Sequence, residues 1–331
     1  MKIAAIGDVH GRPIWKDVFE DAVNKGADKI VFLGDYIDPY PSIVPKSTVK
    51  KENVQTFESF QKNKWDKENK KEKEDNFDWE KYLTTPTPTS DTDWEDGDDE
   101  LSDEEFYAKY YKKYGAELPK YAEYEPTNYK YQTYDETMGV LSEIVELKKK
   151  NPSKIILITG NHDAHYIYPE IGQCSRYDYK NATKYKEFYK ENKGLFQYAF
   201  QHGNNLFTHA GVTNSWLDFF DATLYSFGMK DDFSNLADVL NDMGEDPKSN
   251  KILNAVSRMR GGEDFAGGIT WADYKETCDD FLVGMIQFVG HSKVSYIHTE
   301  KMPNIRGSIT YCDVLEDAKK NMSSNYYMVN A

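Results

Sequence analysis

Five short stretches of the chain carry side-chain types that hold metal ions. They are Gly7-Asp8-Val9-His10-Gly11, Gly34-Asp35-Tyr36-Ile37-Asp38, Gly160-Asn161-His162-Asp163, Thr208-His209-Ala210-Gly211 and Gly290-His291-Ser292. Each follows a short apolar run of the kind that forms a buried strand. In an α/β sheet such strand ends converge on one crevice, where ligands bind. The glycines let the chain turn sharply, so that the next side chain points into that crevice. One such motif carries little weight, but five in the same position relative to their strands specify a site.

The elements that would position these motifs are legible as periodicity. Ile3–Ile6 is a short apolar run, and Trp15, Val18, Phe19, Ala22 and Val23 then recur at helical spacing before a second run at Ile30–Leu33. Met138, Leu141, Ile144, Val145 and Leu147 form the apolar face of another helix, followed by Pro152 and the run Ile155–Ile158. Further strands are expected at Leu206–Thr208 and at Ser308–Val314, read as the final strand; Phe281–Val289 leads into another strand, and Asp218–Arg260 is mostly helical. Strands alternating with helices make an α/β fold.

Between these halves the composition changes. From about Tyr40 to Tyr134 the chain is rich in Lys and Glu, alternates Thr and Pro at 84–90 and is strongly acidic at 91–105, yet it keeps many aromatics. A fully disordered segment is normally poor in aromatics. Two parts follow: a catalytic domain at 1–40 and 135–331, and an acidic, Tyr-rich insertion at 41–134, partly helical with a mobile centre. The bland reading of its acidic run is a solvated surface. The sharper one is a cap or lid, because it departs two residues beyond Asp38 and loops beside sites often carry function.

The 331 residues suffice for one large domain with an insertion. Mean hydropathy is -0.77, no apolar run reaches the roughly eighteen residues of a membrane helix, and the Met1-Lys2-Ile3 start has no signal-peptide layout, so a cytoplasmic protein is expected. The three cysteines, Cys174, Cys278 and Cys312, suggest reduced thiols rather than disulfides or a thiolate zinc site, and none has the following arginine of a cysteine phosphatase loop. A net charge of -15 disfavours a nucleic-acid partner but not a phosphate substrate, because bound cations reverse the local field.

The ordered set GDVHG, GDYID, GNHD, THAG and GHS resembles the calcineurin-like metallophosphoesterase superfamily, closest to its phosphoprotein-phosphatase and diadenosine-tetraphosphatase branch. The resemblance spans about residues 1–40 and 135–315 and implies a four-layer α/β/β/α sandwich. It implies that Asp8 and His10 bind a first divalent ion, that Asp35 bridges two, and that Asn161, His209 and His291 complete the second. Mixed Asp, Asn and His ligands suit Mn, Fe or Zn. Two carboxylates against two dications leave about two positive charges to hold a hydroxide and a phosphate. The resemblance makes His162 the general acid, oriented by Asp38; a carboxylate beside an imidazole raises its proton affinity and fixes its ring. Asp163 is expected to support the ligands from behind.

Substrate contacts are more open. Arg258 and Arg260, just before Gly261-Gly262, fit either a phosphate grip or a solvent-facing helix end. The branch continues its second motif as Asp-Arg-Gly, whereas Asp38 is followed by Pro39-Tyr40, which weakens the case for a phosphoprotein substrate. Lys293 stands where many superfamily members carry a second histidine, leaving the first ion one protein ligand fewer. His165, His202 and His298 read as structural or surface residues, and Trp271 as core. The expected activity is metal-dependent hydrolysis of a phosphomonoester by direct attack of metal-activated hydroxide, on a phosphorylated small molecule, nucleotide or phosphoprotein. The rivals are a nucleotide or dinucleoside-polyphosphate hydrolase, a phosphodiesterase, and a catalytically silent scaffold that binds partners through the insertion.

Overall fold

In the computed structural model, residues 1–43, 129–130 and 132–331 are described. The chain divides into two compact units, Met1–Tyr40 with Tyr131–Ala331, and Pro41–Lys130. In the second unit the described residues form a two-stranded antiparallel sheet, β3 (Ser42–Ile43) with β4 (Tyr129–Lys130). The expected helices, the Thr-Pro stretch and the acidic centre of the insertion lie outside the described residues. The larger unit resumes at Tyr131 rather than residue 135. Gln132 Nε2 already donates to Gly11 O at 2.7 Å, and Thr133 caps the helix that follows.

The larger unit is mixed α/β with two mixed sheets. In the first, β1 (Lys2–Ile6), β2 (Lys29–Phe32), β5 (Ile155–Ile158) and β6 (Phe196–Gln197) run parallel, and β12 (Tyr327–Asn330) pairs antiparallel with β1 at the edge. In the second, β11 (Ser308–Tyr311), β9 (Ile286–Val289) and β8 (Asn205–Thr208) run parallel, flanked by antiparallel β10 (His298–Glu300) and β7 (Ala199–His202). The final strand is thus β12, not the 308–314 segment that alternation suggested. Tyr327–Asn330 was missed because a short edge strand buries only one face, and Tyr327 remains exposed.

Side chains one residue apart on a strand point to opposite faces, and the apolar clusters follow that period. Ala4, Ile6, Ile30, Phe32, Ile155 and Leu157 pack with α1 (Trp15–Asn24), α2 (Tyr134–Lys150) and α4 (Ala182–Asn192) through Trp15, Val18, Leu141, Ile144, Tyr185 and Tyr189. The alternate residues Ile3, Ala5, Val31, Leu33, Ile156 and Ile158 pack with Phe207 and Phe288 of the second sheet. Strands buried on both faces explain the unbroken apolar runs in the sequence. A third cluster joins Leu206 to α5 (Asn214–Phe219), α6 (Asp221–Ser226), α7 (Leu236–Glu245) and α8 (Pro247–Leu253) through Trp216, Leu217, Leu224, Leu240 and Leu253. A short helix, α3 (Asn161–Ile167), opens directly from the third motif, and α9 (Tyr274–Asp280) precedes β9.

Helix α2 starts where it does because Thr133 and Glu136 form a reciprocal cap, each side chain accepting the other's backbone N–H. Lys148, Lys149 and Lys150 in its last turn face the negative end of the helix dipole. No helix among the described residues is long and apolar enough to cross a membrane. All three cysteines are free thiols.

Candidate metal centre

The five motifs sit at the carboxyl ends of β1, β2, β5, β8 and β9, and their turns are tight. His10, Asp35, Asp38 and His291 adopt positive φ of 45°, 53°, 54° and 60°, a region that side chains with a Cβ rarely enter. Such strain costs on the order of 1–3 kcal/mol per residue and persists only where surrounding structure enforces it. Glycines allow the closest approaches: a Cβ at Gly160 would overlap Asp35 Oδ1, and one at Gly290 would overlap Asp8 Oδ1.

All six expected ligands meet at one place. Asp8, His10 and Asp35 offer ligand atoms within 4.8 Å of one another, and so do Asp35, His209 and His291, with Asp35 common to both groups. His10 Nε2 lies 3.6 Å and His209 Nε2 3.5 Å from Asp35 Oδ2. Asn161 Oδ1 lies 2.9 Å from His209 Nε2 and 3.0 Å from His291 Nδ1. Metal bonds of about 2.1 Å at tetrahedral or octahedral angles set ligand atoms roughly 3.0–3.4 Å apart, so these separations suit shared cations.

Hydrogen-bond logic gives an independent test of fit. His209 Nδ1 is 2.7 Å from Leu33 O and His10 Nδ1 is 2.7 Å from Ile37 O. A carbonyl can only accept, so both Nδ1 atoms carry the proton, and in the neutral ring Nε2 presents a bare lone pair. On His209 that lone pair would face the Asn161 and Asp35 oxygens, acceptor against acceptor, unless a proton or a cation lies between. His291 Nε2 is buried without a hydrogen-bond partner. The residues present therefore fit a metal ion, with backbone carbonyls fixing two of the rings as metal sites commonly do.

Charge follows the same geometry. Burial pushes Asp8 up, helped by the nearby Asp313 carboxylate. Burial also pushes Asp35 up, but the surrounding imidazoles, His209 first, outweigh it and hold the carboxylate well below its usual range. Burial lowers His10 to about 3, whereas His209, despite burial, is raised to about 10 by Asp35 and Asp8.

Beside this centre, His162 Nδ1 lies 2.9 Å from Asp38 Oδ2, with both side chains buried. His165 was read from the sequence as structural or surface. It is buried within the same network, its Nε2 3.0 Å from Asp38 Oδ2. Its Nδ1 accepts the Cys174 backbone N–H at 3.2 Å. The Tyr166 hydroxyl donates to Asp38 Oδ1 at 2.9 Å. Burial would push Asp38 up, but the two histidines hold it below its ordinary value.

A cavity of about 110 Å³ opens over Asp8, His10, Asp35, Asn161, His162 and His291. Arg260 lines it, its Nη2 donating to Ser292 Oγ at 3.1 Å and its Nε 2.7 Å from Asp273 Oδ2. Arg258 is exposed and does not line the cavity: the 3-10 turn Arg258–Arg260 points the two arginines differently. Trp271, expected in the core, is half-buried at the rim, with its ring centroid 5.7 Å from that of His291. Lys293 is paired with Glu316 and Asp317. Of the other two histidines, His202 is exposed and His298 half-buried near Glu300.

Sequence reasoning missed Arg12, Arg176 and Tyr40, which also line the cavity. Arg12 directly follows the first motif, a position that could have flagged it. Arg176 lies in a loop after α3 with no local signal. No protein-family model, curated protein or solved structure matches the chain.

Proposed function

We propose that this chain is a metal-dependent phosphoester hydrolase built as a four-layer α/β/β/α sandwich. Support for the layering comes from the apolar cluster that joins Ile3, Val31 and Ile158 of one sheet to Phe207 and Phe288 of the other, with helical clusters on the remaining faces. One observation carries the functional reading: two groups of ligand atoms share Asp35 at the floor of a cavity that His162 and three arginines also line.

Asp8, His10 and Asp35 would hold one divalent ion and Asp35, Asn161, His209 and His291 a second. Bound there, such ions supply Lewis acidity, polarising phosphoryl oxygens and making water acidic enough to attack near neutral pH. The protein's own groups do the rest. Asp38 fixes the His162 ring by its Nδ1 and provides the counter-charge for a protonated imidazole, leaving Nε2 to give a proton to the departing oxygen. Asp163 holds the turn that carries Asp35. The arginines add positive charge that attracts a phosphoryl anion.

The test is a side-by-side assay of the purified chain with added Mn2+ on p-nitrophenyl phosphate, its bis-ester, diadenosine tetraphosphate and a phosphopeptide. We expect cleavage of at least one of them, abolished by chelation and reduced by orders of magnitude in Asp35→Asn. Wild-type turnover by Asp35→Asn, or a protein that takes up no divalent ion, would overturn the reading and leave a partner-binding scaffold.

A further inference from the structure

Three guanidinium groups surround the cavity, and two of them already face a carboxylate. Arg12 lies 3.5 Å from Glu316, and Arg260 lies 2.7 Å from Asp273. Arg176 has no carboxylate within ion-pairing distance among the described residues. Its Cζ stacks 3.3 Å from the centroid of the Tyr40 ring, and its Nη2 lies 2.9 Å from His162 Nε2. Its Nη1 is buried and has no hydrogen-bond partner among the described residues. The residue is held at a φ of 63°, so the backbone fixes where this side chain begins.

A partly buried cation with an empty donor and no counter-charge among the described residues is a costly arrangement unless an anion completes it. The stacked Tyr40 ring restricts the guanidinium plane, which reduces the entropy lost when a ligand is gripped. A planar fork of N–H groups matches two oxygens of one phosphoryl group. A terminal phosphoryl group carries three non-bridging oxygens and a diester only two. Beside a centre that also calls for oxygens, the fork is better satisfied by the terminal group.

We propose that Arg176, prepositioned on Tyr40, is a substrate-binding residue that grips the phosphoryl oxygens and makes this site select terminal phosphoryl groups over diesters. This rests on the hydrolase reading for its substrate, but its anion-binding part can be measured without turnover. In the free protein Nη2 rests against His162 Nε2, and on binding the phosphoryl oxygens fill both Nη positions.

Inorganic phosphate is titrated calorimetrically into Mn2+-loaded full-length protein, wild type and Arg176→Ala, Arg176→Gln and Arg176→Lys. The ratio of kcat/KM on p-nitrophenyl phosphate to that on bis(p-nitrophenyl) phosphate is measured alongside. Phosphate affinity is expected to fall about ten- to a hundredfold in the Ala and Gln variants and less in Lys, which keeps a point charge. The monoester-to-diester ratio should fall about tenfold, with Mn2+ content and melting temperature unchanged. Should Arg176→Ala fail to fold, the Gln and Lys variants, which keep the aliphatic stem through Cγ and Cδ, carry the test. Phosphate affinity in Arg176→Gln within about twofold of wild type, or a wild type that binds no phosphate, overturns the proposal. A wild type that binds phosphate through Arg176 but cleaves no ester overturns the hydrolase reading alone.

Discussion

The Asp163 carboxylate accepts the backbone N–H of Asp35 at 2.8 Å, tying the third motif to the second across 128 positions of chain. It also accepts from Tyr36 N at 3.1 Å, Gly160 N at 2.9 Å and the Tyr189 hydroxyl at 2.6 Å. Four donors converge on two oxygens, and the turn that places Asp35 at positive φ is held by them.

Asp163→Asn should therefore be far from silent. An amide replaces one accepting oxygen by N–H groups that face donors, leaving buried donors unpaired at a cost of about 2–4 kcal/mol. Denaturant unfolding of the metal-free protein would read that loss. Mn2+ affinity should fall about 10- to 100-fold, because the displaced group orients a ligand. An unchanged midpoint together with unchanged Mn2+ affinity would show that Asp163 does not hold the site.

Metal uptake should depend steeply on pH. In the metal-free protein His209 is raised to about 10 by Asp35 and Asp8 despite its burial, and burial raises Asp8 as well. At neutral pH His209 therefore holds a proton that a cation must displace, and the upward push on Asp8 adds to the competition as pH falls. The sign follows: proton and cation compete, so affinity rises with pH below the raised values, by about tenfold per pH unit for each proton released. Calorimetric titration of Mn2+ in buffers of different ionisation enthalpy measures that release. A binding heat independent of buffer would contradict it.

The layering has its own test. Phe207 and Phe288 are fully buried and stack with ring centroids 4.8 Å apart where the two sheets contribute to one apolar cluster. Phe207→Ala removes a large ring that the second sheet buries against Ile3, Val31 and Ile158 of the first and should cost about 3–5 kcal/mol of stability. Phe200→Ala at the half-buried strand neighbour should cost clearly less, since Phe200 packs only at the edge of the cluster. Equal losses for the two would argue against a core shared by the sheets.

How much of this was readable beforehand depends on whether the information is local. Asp8, Asp35, Asn161, His209 and His291 each follow an apolar run, and their convergence needs only that the strands lie parallel with their carboxyl ends together. Arg176 and His165 depend instead on the path of the loop after α3, which no periodicity encodes, and so the cation beside His162 went unseen. Arg258 and Arg260 were indistinguishable as a pair, and only the 3-10 turn separates the one that meets Ser292 from the one in solvent. β12 was invisible for a different reason: its pairing with β1 joins the two ends of the chain, and its own four residues carry a single buried side chain, Val329.

The role assigned to His162 makes a prediction that separates proton donation from mere positioning. Asp38 holds its Nδ1 at 2.9 Å, and Tyr166 and His165 in turn hold Asp38, so the ring cannot reorient freely. If Nε2 supplies the proton that the leaving oxygen requires, the loss in His162→Ala depends on how badly that oxygen needs it. An alkyl phosphate, which leaves as a strongly basic alkoxide, should slow by about 10²- to 10⁴-fold. p-Nitrophenolate leaves without help, so p-nitrophenyl phosphate should lose far less. Asp38→Asn should show the same leaving-group dependence with a smaller loss, because it disturbs orientation while the imidazole remains. The measurement is kcat over a series of aryl and alkyl phosphates at fixed Mn2+. A loss of equal size across the series would assign His162 to phosphate binding instead of acid catalysis.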